Sequence, residues 1–107
     1  MADNARIEKF KELLANEPRN AMLHYGLGNE LLKHGCHAEA AKSYQAAIQA
    51  NPRYTAAYRQ LGKAFEKSSQ REAARHAYQN GIAVGSDVGD LQTVKEMRVF
   101  LRRLEPS

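Results

Sequence analysis

Residues 21–52 recur 34 positions later as 55–86, and the matches fall where two packed helices would touch. Leu27-Gly28 returns as Leu61-Gly62, Lys33 as Lys67, Ala40 as Ala74, Tyr44-Gln45 as Tyr78-Gln79, and Ile48 as Ile82. A period of this length marks a repeat architecture, in which one helical unit cannot bury its apolar face alone and stacks on the next. Stacked units leave an extended curved surface whose common use is to hold another molecule. No segment alternates apolar and polar residues with the period of two that a strand needs, so the class is all-α.

The helices follow from spacing and punctuation. Ile7, Phe10, Leu13 and Leu14 form a stripe at intervals of three and four that predicts a helix over 5–15, closed by Pro18. A second helix is expected over 21–34, entered through Asn20 and stopped by Gly35, and a third over 37–50, ended by Asn51-Pro52. The pattern returns at 55–68, capped by Thr55 and broken at Ser68-Ser69, and at 71–84, ended by Gly85. A last helix over 88–104, behind Ser86-Asp87 as caps, carries Leu91, Val94, Met97, Phe100, Leu101 and Leu104 on its apolar side. Lys95, Arg98, Arg102 and Arg103 supply its polar side.

Gly28, Gly62, Ala40 and Ala74 are small where paired helices must approach to 8–10 Å, the usual interaxial distance. Tyr44, Tyr78, Leu31 and Phe65 are their large complements, and fully burying one such side chain contributes about 1.5–3 kcal/mol. These residues read as scaffold.

At these positions the chain resembles the tetratricopeptide repeat family, whose unit carries Trp-x2-Leu-Gly-x2-Tyr, then Ala-x3-Phe, then Pro. The first unit reads His24-x2-Leu27-Gly28-x2-Leu31, Ala40-x3-Tyr44, Pro52. The second reads Tyr58-x2-Leu61-Gly62-x2-Phe65, Ala74-x3-Tyr78, with Ser86 in place of the closing proline. Phe10 and Leu14 stand one period before Tyr44 and Ile48, so the resemblance spans residues 5–88. It implies a right-handed array within one domain over 1–107: an N-terminal half-repeat helix (3–16), repeat 1 (21–54), repeat 2 (55–88) and a C-terminal capping helix (88–104).

A chain of 107 residues fits one domain. Its single cysteine, Cys36, excludes an intramolecular disulfide framework and makes a reducing cytoplasm the expected compartment. Met1-Ala2-Asp3-Asn4 lacks the basic-then-apolar pattern of a secretory signal, and no run approaches membrane-spanning length. The net charge of +4 is uneven: residues 53–86 carry six basic and two acidic groups, whereas the other segments nearly balance. That surplus favours acidic peptide segments or a terminal carboxylate as partners, and disfavours nucleic acid, which normally asks for more charge.

In the resembled family the first helix of each hairpin lines the concave face. Carrying those positions onto this sequence selects Tyr25, Asn29, Leu32 and Lys33 from the first repeat and Arg59, Lys63 and Lys67 from the second. Arg59, Lys63 and Lys67 are spaced by four, and an anionic ligand would relieve the repulsion of that line. The implied function is non-enzymatic protein–protein interaction, with an acidic or extended peptide in the groove. Asn29 would bond its backbone as donor and acceptor, Arg59 and Lys63 would neutralise carboxylates, and Tyr25 would add apolar contact. The family's two-carboxylate clamp is matched at Asn29 only, since Tyr25 stands where a lysine is expected and Gln60 where an asparagine is.

Other constellations read as scaffold or surface. His34, Cys36 and His37, with His24 nearby, carry zinc-binding atoms, but neighbours in a tight turn rarely aim at one ion, so no metal or cofactor is expected. Cys36 lacks the oriented base a nucleophile requires, and no carboxylate pair suggests acid–base work. Gly26-x-Gly28 lies inside a helix, not after a strand as a phosphate cradle would, while Gly81, Gly85 and Gly89 read as turn formers. On the last helix Val99 lies off the main apolar stripe and Phe100 sits at its margin, and the patch they leave offers a second function, self-association as a homodimer. Weak RNA binding is a third reading, favoured only by the pI of 9.4.

Overall fold

A computed structural model describes residues 2–105, with side chains from Asn4 to Glu105; residues 1 and 106–107 of the expected domain range lie outside them. Six helices follow one another: α1 (Ala2–Asn16), α2 (Ala21–Lys33), α3 (His37–Ala50), α4 (Thr55–Lys67), α5 (Arg71–Val88) and α6 (Leu91–Leu104). No strand occurs among the described residues.

Repeated local chemistry sets the ends of these helices. Asn20 caps α2, its side-chain oxygen accepting from the Leu23 amide at 3.1 Å. Gly35 turns the chain after α2 at φ +81°, with Gly35 N–H donating to the Leu32 carbonyl and Cys36 N–H to that of Leu31. The turn after α4 repeats this pattern one period on: Ser69 takes φ +60°, donating to Glu66, while the Gln70 amide donates to Phe65. The polar tips at the start of the two hairpins are tied alike. His24 Nε2 lies 2.8 Å from the Pro18 carbonyl oxygen and the Tyr58 hydroxyl donates to that of Pro52 at 2.8 Å.

Close approach is built from glycine and tyrosine. A Cβ on Gly28 would meet the Tyr44 ring at 2.6 Å, and one on Gly62 would collide with the ring of Tyr78. Tyr44, Tyr78, Ala40 and Ala74 are fully buried. One apolar cluster runs from Ile7, Leu27, Leu31 and Tyr44 on to Leu61, Ala64 and Ala77, across α1 to α5, and a second joins Tyr58, Tyr78 and Met97 across α4 to α6. Each helix packs on the next, α2 also touches α4, and α4 touches α6, whereas α3 and α5 do not meet. The first helices of successive hairpins therefore line the inner side of a curved slab of 43 × 28 × 19 Å.

Three boundary expectations are corrected. Thr55 does not cap α4; it is the first helical residue, Tyr54 stands at the cap, and the buried Thr55 side chain packs against Gly85. Helix α5 does not stop at Gly85 but continues to Val88, and α6 starts at Leu91 behind Asp90, whose carboxylate accepts from the Thr93 amide at 3.3 Å. Gly81 and Gly85 are not turn formers: a Cβ would meet Met97 Sδ at 2.5 Å at the first and Val94 Cγ2 at 2.5 Å at the second. Missing side chains at these two sites let α6 seat closely on α5. Only Gly89, at φ +83°, makes the turn.

Candidate functional site

The inner side carries side chains of α2, α4 and α6, and their geometry divides the seven residues selected from the sequence. Arg59 is not a free cation. Its guanidinium donates to Glu96 of α6 at 2.6 Å, with the Arg59 side chain 24% exposed. Burial works against its charge, but the contacts with Glu96 and Tyr25 outweigh it and hold the Arg59 pKa above its ordinary value.

Lys63, one turn further along α4, lies over the Phe100 ring with Nζ 5.1 Å from its centroid. Arg103 meets the same ring at 5.1 Å, and the Phe100 ring rests on Tyr78 at 5.6 Å between centroids. Neither Lys63 nor Arg103 forms an ion pair among the described residues. Each cation–π contact is worth about 0.5–1 kcal/mol at an exposed site, which leaves both charges available to a carboxylate.

Asn29 is half committed. Its side-chain oxygen accepts from the Tyr44 hydroxyl at 2.6 Å and from Gln60 at 3.4 Å, so the expected role as acceptor is taken and its amide donors remain. Burial pushes the Tyr44 hydroxyl pKa up to about 12, only partly offset by the bond to Gln60. Tyr25 is clamped between rings, 5.8 Å from Tyr44 and 4.9 Å from Tyr54.

Leu32, Lys33 and Lys67 are not brought into this group. Leu32 packs against the first apolar cluster, while Lys33 and Lys67 are exposed in the last turns of α2 and α4, where a cation complements the helix carbonyl end. Glu96, Phe100, Arg103 and Gln60 belong to the inner side and were not selected from the sequence. For the three on α6 the signal was present at a spacing of 36, not 34. The seventh and eighth residues of α2 and α4 are Leu27-Gly28 and Leu61-Gly62, and those of α6 are Met97-Arg98. Helix α6 is thus a third first-helix, displaced by the longer α5, and Glu96 answers to Gln60.

No three His, Cys, Asp or Glu side chains gather as a metal site among the described residues. His24 turns to the Pro18 carbonyl and His34 toward Glu30, at 3.8 Å. A depression of about 590 Å³ lined by Pro18, Arg19, His24, Ala46, Gln49 and Ala50 involves the α1–α2 turn and α3, with no residue of the inner cationic group in its wall. No helix among the described residues is long and apolar enough to cross a membrane.

Comparison with known proteins agrees with this architecture. The TPR repeat family profile matches residues 28–69. The TPR repeat-containing protein PA0015 of Pseudomonas aeruginosa is 38% identical over 99 residues, spanning 92% of this chain and 94% of its own length. The solution structure of BPP2914 from Bordetella parapertussis superposes with a TM-score of 0.79 at 36% identity, over 92% of this chain and 85% of that one. The TPR2B domain of yeast Sti1, solved in complex with pHsp70, shares the fold with a TM-score of 0.86 at 16% identity, over 92% of this chain and 78% of that one. With a relative so similar over nearly the whole of both chains, and the same all-α hairpin array beneath it, this chain belongs to the TPR repeat family.

Proposed function

We propose that the protein is a non-enzymatic interaction module that holds an extended acidic segment of another protein along the inner side of α2, α4 and α6. TPR domains are protein–protein interaction modules, and the Sti1 domain of the same fold is solved with pHsp70 bound. The observation that carries the acidic preference is the pair of cations, Lys63 and Arg103, converging on one aromatic ring with no carboxylate partner among the described residues. A carboxylate of the segment would pair with Lys63 and Arg103 on their sides away from the ring, whose negative face holds the cations in place, and Asn29 would donate to a backbone carbonyl. Arg59, neutralised by Glu96, shapes the floor and takes no direct part.

The test is affinity recovery of partners from a native lysate, comparing the wild type with Lys63→Glu plus Arg103→Glu. Both side chains lie at the surface of the inner side and tie no helix to its neighbour by an ion pair, so the fold is expected to survive. Loss of the captured proteins is expected, with the helical signal retained and stability lowered by no more than the two lost cation–π contacts, about 1–2 kcal/mol together. Undiminished capture by the folded double variant would overturn the site. Arg59→Glu is a poorer test, since it would set two carboxylates against each other and loosen α6.

A further inference from the structure

Helix α6 has a second face that the inner groove does not use. Val94 and Met97 are buried, and Glu96 and Phe100 turn toward α4. The remaining arc holds Leu91, Lys95, Arg98, Val99 and Arg102, all exposed. Leu91 is 67% and Val99 50% exposed, and they stand on the same side about two turns apart. Only Met22 joins them as a large apolar residue this exposed among those described. Lys95, Arg98 and Arg102 form no ion pair among the described residues, because the acid on this helix, Glu96, is engaged by Arg59.

A second copy of the chain is a poor occupant. Two-fold pairing of α6 would bring Lys95, Arg98 and Arg102 against their own equivalents, and opposed like charges cost several kcal/mol. Addition of another copy's α1 as the hairpin partner of α6 fails at Arg98. That is the position where Gly28 and Gly62 admit the rings of Tyr44 and Tyr78, and an arginine side chain fills the space. Charge complementarity selects instead an acidic partner with an apolar stripe.

We infer that the outer face of α6 is a second docking surface, for an amphipathic helix of another protein whose apolar stripe is flanked by Asp or Glu. The stripe would cover Leu91 and Val99, while the carboxylates would pair with Lys95, Arg98 and Arg102 at a wider separation than a repeat hairpin allows. The inference is independent of the groove.

The test uses the full chain, isotope-labelled, and a synthetic amphipathic helical peptide with a leucine stripe and glutamate flanks. Saturable amide shifts confined to residues 91–102 are expected. Affinity should fall at least about tenfold in Leu91→Ser plus Val99→Ser and in Arg98→Glu plus Arg102→Glu. Lys42→Glu, exposed on α3 and part of neither surface, should bind as the wild type does. Absent shifts on α6, equal binding of a lysine-flanked peptide, or an unchanged affinity of the serine variant would overturn the inference. So would two competing occupants: single-stranded RNA that displaces the peptide and is lost steeply with salt, or sedimentation as a dimer that Val99→Ser abolishes.

Discussion

Single atoms decide the hairpins. The eighth residue of α2 and of α4 is glycine because a tyrosine ring of the paired helix occupies the volume a Cβ would need. Gly62→Ala should therefore destabilise the fold by about 1–3 kcal/mol, the usual cost of overpacking, read as a lower denaturation midpoint with an unchanged slope. Ser69 presents the opposite case. It holds φ +60° in a turn whose counterpart is Gly35, with the same two backbone hydrogen bonds. Ser69→Gly removes left-handed strain worth about 1–2 kcal/mol and gives back part of it in chain entropy, so a net gain of about 0.5 kcal/mol in chemical denaturation is expected. The buried tyrosines add a pH signature. The Tyr44 hydroxyl stays protonated in the fold up to about pH 12, against an ordinary 10.0, so the unfolded chain loses this proton first. The stabilisation is complete below pH 10.0 and is lost as pH rises toward 12. Tyrosinate absorbance should rise together with unfolding in that window, and full ionisation of all tyrosines in a folded chain would refute the assignment.

The helices were legible in proportion to how locally they are determined. Helices α2 and α3 follow from Asn20, Gly35 and Asn51-Pro52, each of which acts on the chain within a few residues of itself. The junction of α5 and α6 is not legible in the sequence, because Gly85 reads identically as a stop or as a close contact until Val94 and Thr55 are seen against it. That junction also hid the inner-side residues of α6, since the longer α5 shifts the register from 34 to 36. Arg59 could not be read as paired, because Glu96 lies 37 positions away on another repeat. Asn20→Ala removes the cap of α2 and should lower stability by about 1 kcal/mol, visible as a reduced melting temperature and faster amide exchange at Leu23.

Across the molecule, curvature gathers α2, α4 and α6 on one side, and this gives chemical meaning to residues that are far apart in sequence. The positive surplus of the second repeat is less available than its count suggests, since Arg59 and Arg75 are paired with acids. The free charge of the inner side is concentrated on Lys63 and Arg103, where an aromatic ring joins them. An extended glutamate-rich peptide carrying a spin label places this proposal under direct scrutiny. Paramagnetic broadening should centre on the amides of Asn29, Lys63, Phe100 and Arg103 and fade toward α3 and the outer side of α5. Broadening centred on α3 and α5, with those four amides untouched, would mean that the inner side is not where the partner lies.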